Sequence, residues 1–271
     1  VGALLPNVLG YNDPDVNWAI RRQLDKGISL SLATELEAQL AETLCELIPC
    51  AERVRFGKNG SDATSAAIRL SRAYTGRDFI GIIAGEGYHG WHDWAVAGTN
   101  RDVGVPGLVK SLTHRIPPDI EAVKEHLCRH RYAAIIIDPE NHVTSFLRDL
   151  RDECQRAGSV FVYDEIRTGF RYDLGGWQKY CGVIPDLACF GKSMANGMPI
   201  SALVGKSEIM EGLGEIDGTF WSGTFFGEAL SLAAAITTVD KLRTHSVLEH
   251  LWTIGKQIRN NVQRFLIGRS D

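Results

Sequence analysis

Short apolar runs alternate with segments of helical periodicity along most of this chain of 271 residues. Continuous apolar runs bounded by polar residues or glycine predict strands that are buried on both faces. Such runs lie at residues 54–56, 79–84, 133–138, 160–163, 187–190 and 200–204. Because helical segments lie between them, the pattern predicts an α/β fold with a mostly parallel sheet flanked by helices.

Three segments predict helices before or between these strands. In segment 34–47 apolar residues recur at spacings of three and four, and Thr34 three residues before Glu37 indicates a capping box. Segment 62–74 places small and apolar side chains on one face. Segment 144–157 is followed by glycine, which predicts a left-handed residue at the end of that helix.

The pattern from residue 228 onward is helical, in segments 228–242 and 247–265. We interpret these two helices as a linker toward a second, C-terminal lobe that is largely absent from this chain. The chain then divides into an N-terminal segment 1–45, a large domain 46–240 and the incomplete start of a small domain 241–271.

Composition limits the classes of function. The hydrophobic fraction of 44% suffices for a large core, and a net charge of −4 gives no general attraction to nucleic acid or to anionic membranes. We find neither an apolar run long enough to span a bilayer nor a signal-peptide pattern. The six cysteines are scattered without a C-x-x-C pair, which is typical of reduced thiols. We therefore expect a cytoplasmic protein of enzyme size, without nucleic-acid or membrane partners.

Parallel sheets bind ligands at the carboxyl ends of their strands, and a lysine there is the first candidate. Lys192 follows the strand 187–190 and precedes a loop of small residues. Partial burial at such a position lowers the pKa of an amine and makes it a nucleophile, although a lone lysine is more often a solvated surface residue. A phosphate-binding P-loop is excluded, because that motif requires glycine where Asp186 stands.

Other candidate residues also follow predicted strands. Asp164 comes directly after the strand 160–163, where a carboxylate can hold a protonated ring nitrogen or act as an ordinary loop residue. The turn Gly57-Lys-Asn-Gly-Ser61 leads into a helix, whose backbone N–H groups and serine hydroxyl can bind an anion. The segment Tyr88-His-Gly-Trp-His92 offers an aromatic face, and its two histidines lack a third partner for a metal ion.

In this order, the motifs resemble those of the class III aminotransferases, and within them most closely the glutamate-1-semialdehyde aminomutase branch. The matching segments are Asn59-Gly-Ser-Asp-Ala63, Tyr88-His-Gly90, Asp164-Glu-Ile-Arg-Thr-Gly-Phe170, Gly191-Lys-Ser-Met-Ala-Asn-Gly-Met-Pro199 and Ser222-Gly-Thr-Phe-Phe-Gly227. The ordered set is highly specific, whereas no single segment is. The chain departs from the family at Glu228-Ala229, where Asn-Pro is frequent, and at Asp62, where Glu is usual.

The resemblance implies pyridoxal 5'-phosphate (PLP) as cofactor. Lys192 would hold PLP as a Schiff base and then move a proton between the substrate carbon and the cofactor carbon. Asp164 would bind the protonated pyridine nitrogen. Ile166 would pack beneath the ring, Tyr88 would stack on its opposite face, and His89 would belong to the same cofactor site.

The resemblance also implies how the phosphate of PLP is bound. Gly60 and Ser61 would bind it within one subunit. Thr224 would reach the phosphate of the neighbouring subunit, because members of the family share active sites across a homodimer.

The activity that the resemblance implies is transfer of an amino group from a small-molecule donor to an aldehyde or ketone. Intramolecular aminomutase chemistry of the glutamate-1-semialdehyde type is an alternative. A PLP-dependent decarboxylase or racemase would use the same lysine and aspartate. A non-catalytic regulator with this fold would not need Lys192, Asp164 and Thr224 together, and a nicotinamide dehydrogenase would need a G-x-G-x-x-G motif that we do not find.

Overall fold

The computed structural model describes residues 3–85, 87–214 and 218–267. The described strands form one sheet: β1 (Arg53–Gly57), β2 (Phe79–Ile83), β3 (Thr113–Ile116), β4 (Tyr132–Ile137), β5 (Val160–Asp164), β6 (Leu187–Phe190) and β7 (Ser201–Gly205). The described helices are α1 (Pro14–Leu24), α2 (Glu35–Leu47), α3 (Gly60–Thr75), α4 (Asp93–Val96), α5 (Gly107–Ser111), α6 (Ile120–Arg129), α7 (Thr144–Ala157), α8 (Gly176–Cys181), α9 (Ser207–Met210), α10 (Ala229–Thr244) and α11 (Val247–Ile267).

The sheet is mostly parallel, as the alternation of strands and helices predicts. Its order is β1-β7-β6-β5-β4-β2-β3. Strand β7 runs antiparallel to both of its neighbours, and the other pairs are parallel. The carboxyl ends of β1 to β6 therefore lie on the same edge of the sheet, and the segments that follow them can meet there.

Helices cover both faces of the sheet. From β5, Phe161 and Tyr163 enter a core that includes side chains of α2, α7 and α10. The alternate residues, Val160 and Val162, enter a second core against α3. Because both faces are covered, the central strands β4 to β7 are buried along their whole length, which is why continuous apolar runs located them.

Several predicted elements are confirmed. The strand bounds agree with the predictions to within one residue at most positions. Helix α7 has the predicted bounds and ends at Gly158, whose φ of 62° lies in the left-handed region. The predicted buried face of α3 is formed by Ala63, Ala66, Ala67 and Leu70.

Two predictions are wrong. Thr34 precedes α2, but its side chain makes no capping hydrogen bond and its hydroxyl is buried without a partner. A capping box occurs instead at α3, between Asn59 and Asp62. The interpretation of segment 228–242 as a linker is also wrong, because Leu232 and Val239 of α10 are buried in the same core as α2.

The N-terminal residues pack on the large domain, since Val8, Val16 and Leu40 belong to the core of β5 and α7. The division at residues 45 and 240 stays a prediction. All six cysteines are free thiols. Within the described ranges, no helix has the length and apolar character that crossing a membrane requires.

Candidate active site

A pocket of about 330 Å³ opens at the carboxyl edge of the sheet. It brings together segments that follow β1, β2, β5 and β6. The predicted site residues that line it are Gly60, Ser61, Tyr88, His89, Asp164, Ile166 and Lys192. Thr224 is exposed and does not line this pocket.

Lys192 lies at the end of β6 in an unusual backbone conformation. It follows Gly191 and begins a 3₁₀ turn, Lys192–Ala195, with a φ of 41°. Few residues other than glycine adopt this left-handed region, and such strain is concentrated at functional sites. Burial lowers the pKa of Lys192, and the negative charges of Asp164 and Asp138 oppose that effect. The amine is therefore more available as a nucleophile than a solvated lysine.

Asp164 is the last residue of β5 and is 3% exposed. Its Oδ1 accepts the backbone N–H of Ile166 at 3.1 Å, and its Oδ2 lies 2.8 Å from Nδ1 of His89. An ionised carboxylate only accepts hydrogen bonds, so we assign the Nδ1 proton to His89. Each carboxylate oxygen keeps capacity for a further donor. The hydrogen bonds with His89 and Ile166 together fix the orientation of the Asp164 carboxylate, which lines the pocket.

The side chain of Ile166 lines the pocket and packs between two glycines, Gly60 and Gly191. A Cβ atom added to Gly60 or to Gly191 would approach the Ile166 side chain to 3.2 Å. Glycine at both positions lets the loop after β1 and the loop after β6 close around this one side chain. Tyr88 lines the same pocket and is 66% exposed.

The N-terminus of α3 borders the pocket and suits an anion. Asn59 accepts the backbone N–H of Ser61 at 3.0 Å, and Asp62 accepts those of Lys58 and Asn59 at 3.0 and 2.8 Å. Asp62 therefore performs the capping role in this chain. The Ser61 hydroxyl accepts the N–H of Trp91, so its own proton can be donated to a ligand.

An ion pair that no sequence pattern predicts lies at the same end of the pocket. Nζ of Lys58, a residue that lines the pocket, lies 2.6 Å from Oε1 of Glu228. Glu228 also accepts the backbone N–H groups of Leu230 and Ser231 and thereby caps α10. Burial acts to raise the pKa of Glu228, but the bonds from Lys58 and Ser231 hold it below its usual value. At the departure Glu228-Ala229, the glutamate therefore caps α10 and pairs with Lys58.

The two histidines after Tyr88 do not form a metal site. His89 is bonded to Asp164, whereas Nδ1 of His92 is bonded to the Ser65 hydroxyl. Among the described residues, no group of histidine, cysteine and carboxylate side chains has a geometry that could hold a metal ion. These histidines order the loop: His89 orients Asp164, and His92 ties the loop to α3.

Glu165, next to Asp164, has a structural role that the sequence did not indicate. It is fully buried and accepts hydrogen bonds from the Thr168 hydroxyl at 2.8 Å and from the N–H groups of Trp177 and Gln178 at 2.6 and 3.1 Å. Burial raises the pKa of Glu165 to about 7, although these donors favour the ionised form. The side chain ties the loop after β5 to α8.

We expect Glu165→Gln to destabilise the protein by about 1–3 kcal/mol, because the new amide group would face backbone donors and leave buried groups unpaired. The midpoint of thermal unfolding measures this. Glu46→Gln is the control, since Glu46 forms an exposed ion pair with Arg243 and its loss costs less than about 1 kcal/mol. Equal midpoints for the two variants would contradict the structural role of Glu165.

Comparison with known proteins gives a consistent result. The model of the family "Aminotransferase class-III" matches residues 1–266. A 3-aminobutyryl-CoA aminotransferase of Cloacimonas acidaminovorans is 38% identical over 96% of this chain and 64% of its own length. Among solved structures, an omega-transaminase from Sphaerobacter thermophilus has a TM-score of 0.89 at 32% identity, over 97% of this chain and 66% of that one.

A second solved structure, the PLP internal aldimine form of the Sphingopyxis sp. MTA144 FumI protein, has the same TM-score of 0.89 and 32% identity. The alignment covers 97% of this chain and 65% of that protein. The present chain thus spans slightly less than two thirds of the length of each of these relatives. Across that length the fold is the same.

Proposed function

This chain belongs to the class-III aminotransferase family, and we propose that its pocket binds PLP and transfers an amino group from a small-molecule donor to an aldehyde or ketone. One observation carries the proposal: Lys192 follows β6, Asp164 is the last residue of the adjacent strand β5, and both line one pocket. An amine of lowered pKa beside a buried carboxylate is the pair that this chemistry requires.

The residues of the pocket fit PLP. Asp164 has an oxygen with spare accepting capacity for a protonated ring nitrogen, and the N-terminus of α3 with Ser61 offers donors for a phosphate. Ile166, held between Gly60 and Gly191, offers an apolar surface for one face of a ring. The pocket volume of about 330 Å³ lies within the range usual for small-molecule sites.

PLP, when bound, supplies an electron-withdrawing ring that stabilises negative charge on a substrate carbon. The side chains of the chain supply orientation and proton transfer. Asp164 holds a proton on the ring nitrogen, and His89 holds Asp164 in place at 2.8 Å. Nζ of Lys192 holds the cofactor and takes and returns the proton of the reacting carbon, a role for which its lowered pKa suits it.

The substrate is a matter of proposal. The relative from Cloacimonas is named for an acyl-CoA substrate, and that from Sphaerobacter as an omega-transaminase. These names favour an acceptor other than a simple α-keto acid. Aminomutase chemistry of the glutamate-1-semialdehyde type is the second candidate, which the motif resemblance supports. In that case donor and acceptor are one molecule, and a single carbonyl compound is not aminated to a released product.

The test separates the half-reactions. The complete protein is converted to its pyridoxamine form and offered single carbonyl compounds. We expect return of the aldehyde form, seen by absorbance, with release of one equivalent of amine product. For the aminomutase the compound offered is an amino-aldehyde, which takes up the amino group to give a bound diamine and then leaves as its isomer, with the pyridoxamine form restored. Release of carbon dioxide from an amino acid, or loss of its chirality without amino transfer, would replace the proposal with a decarboxylase or a racemase.

We also propose a homodimer with shared active sites. Thr224 lies outside the pocket, and the nearby Phe220 and Phe225 are 57% and 58% exposed. A surface of this kind is suited to contact with a second subunit. PLP carries about −1.5 to −2 charges on its phosphate and benefits from donors beyond one helix terminus.

We expect sedimentation of the complete protein to give a dimer. We expect Thr224→Val to weaken PLP binding by about tenfold, which corresponds to the loss of one hydrogen bond to a charged group. The dissociation constant is measured by titration of the apoprotein. Thr244→Val, an exposed threonine whose hydroxyl bonds to Asp240, is the control. A monomer that is fully loaded with PLP and active contradicts the shared site.

A further inference from the structure

A second cavity, of about 350 Å³, lies beside the Lys192 pocket at the carboxyl ends of β2 and β3. Both cavities are lined by Tyr88, His89 and Gly90, so they meet at this loop. The two cavities are therefore neighbours, and the segment Tyr88–Gly90 borders both of them.

Two guanidinium groups line this cavity. Arg115 is on β3, and Arg101 follows α4. Among the described residues, neither side chain has an ion-pair or hydrogen-bonding partner. The neighbouring charges are paired, since Lys110 lies 2.8 Å from Asp102. Two like charges at one cavity repel each other, and an anion placed between them removes that cost.

The remaining lining also suits an anion. It includes the side-chain amide of Asn100, which can donate hydrogen bonds to an anion. No acidic side chain is among the described residues that line the cavity. We call this site, defined by Arg101, Arg115 and Asn100, the two-arginine cavity.

We propose that the two-arginine cavity binds the phosphate groups of a substrate whose carbonyl or amino end reaches Lys192, an inference that rests on the proposed function. Each guanidinium offers five N–H donors in a planar arrangement that matches phosphate oxygens. A phosphate or diphosphate supplies the two negative charges and the several acceptors that two arginines can use, whereas a single carboxylate supplies one charge. Acyl-CoA thioesters with a keto group and nucleotide-linked keto sugars are two classes of compound that carry both a diphosphate and a carbonyl, and we distinguish between these two sources.

Binding is tested without turnover. Desulfo-CoA, UDP and inorganic phosphate are titrated by calorimetry into the complete holoenzyme. We expect desulfo-CoA or UDP to bind, and the tighter of the two identifies the source. Arg101→Gln and Arg115→Gln should each weaken that binding about tenfold, the value of one charge-assisted hydrogen bond. Both arginines are exposed and unpaired in the described structure, so the glutamine variants should keep the parent's thermal midpoint.

Arg55→Gln is the matched control, because Arg55 is an exposed arginine on β1, the opposite edge strand, has no side-chain partner among the described residues and lines a different cavity. It should leave the affinity unchanged. Absence of binding by both nucleotides, or binding that all three variants leave unchanged, overturns the inference.

Kinetics with a matched substrate pair separates this inference from the proposed function. Acetoacetyl-CoA and acetoacetyl-pantetheine carry the same ketone, but only the first carries phosphates. If the CoA form is the source, the KM of acetoacetyl-CoA should be lower than that of acetoacetyl-pantetheine. Arg101→Gln and Arg115→Gln should each raise the KM of acetoacetyl-CoA about tenfold and leave that of acetoacetyl-pantetheine constant. Where desulfo-CoA is the tighter ligand in the titrations, amination of both compounds with equal KM in the parent overturns the phosphate site and leaves amino transfer intact. Amination of no carbonyl compound by the parent overturns the proposed function, while the titrations still decide whether the arginines bind phosphate.

Discussion

Replacing Lys192 with alanine is expected to abolish amino transfer, with a loss of roughly 10⁴- to 10⁶-fold, the range found when the nucleophile of a covalent enzyme is removed. In the proposed function the amine would both hold the cofactor and move the proton, so its removal should eliminate both roles. The purified parent should be yellow, and the variant should bind PLP without the absorbance of the lysine-linked form. Turnover at an undiminished rate would refute the assignment of this pocket.

Two further variants make this result specific to the amine. Lys192 has a φ of 41°, where alanine is strained, so Lys192→Asn is included because asparagine tolerates the left-handed region. It should be as inactive as the alanine variant. Lys58→Met removes the other lysine of the pocket, which is bonded to Glu228. Lys58→Met should keep the absorbance of the lysine-linked form of PLP. If that absorbance is lost in this variant, Lys58 is the lysine that holds PLP.

Much of the fold follows from local sequence because burial is uniform along the strands. All residues of β4, β5, β6 and β7 are buried, so each strand is a continuous apolar run between polar segments. Strand β3 was missed because it lies at the edge of the sheet, is four residues long and has buried side chains only at its two ends, Thr113 and Ile116. A short edge strand lacks the signal that a central strand has.

Helix termini were predicted less well, because a capping motif records residue types and not geometry. Thr34 and Glu37 have the right spacing for a capping box, yet the Thr34 hydroxyl makes no hydrogen bond. Asn59 and Asp62 have the same spacing and form the box. The second pair lies in a glycine-rich turn next to the pocket, where the backbone conformation is set by close packing against Ile166.

The main site residues were predictable because parallel strands bring the ends of distant segments to one edge. Lys192, Asp164 and the turn before α3 each follow a strand, so the topology alone makes them neighbours. The ion pair of Lys58 with Glu228 and the pair of Arg101 and Arg115 were not predicted. The members of each pair meet because of how the loops pack. The periodicity and spacing of residue types contain no information about loop packing.

Asp164→Asn should slow amino transfer by about 10²- to 10³-fold, equivalent to the roughly 3–4 kcal/mol that one preorganised electrostatic partner contributes in a transition state. Asparagine cannot carry the negative charge that keeps a proton on the ring nitrogen. PLP should remain bound, because the donors at the N-terminus of α3 are unchanged. The kcat, the absorbance spectrum and the thermal midpoint are compared with those of Asp186→Asn.

Asp186 is a suitable control because its carboxylate also ends a hydrogen-bonded network, accepting the N–H of Phe161 at 2.9 Å and pairing with Lys206 at 2.6 Å, but it does not line the pocket. Asp186→Asn should lower the midpoint without changing kcat. His89→Gln should lie between the two, since it removes the 2.8 Å contact that orients Asp164 but leaves its charge. If Asp164→Asn reacts at the parent rate, the ring nitrogen has a different partner. If the rate falls only in proportion to the loss of thermal stability, Asp164 has a structural role.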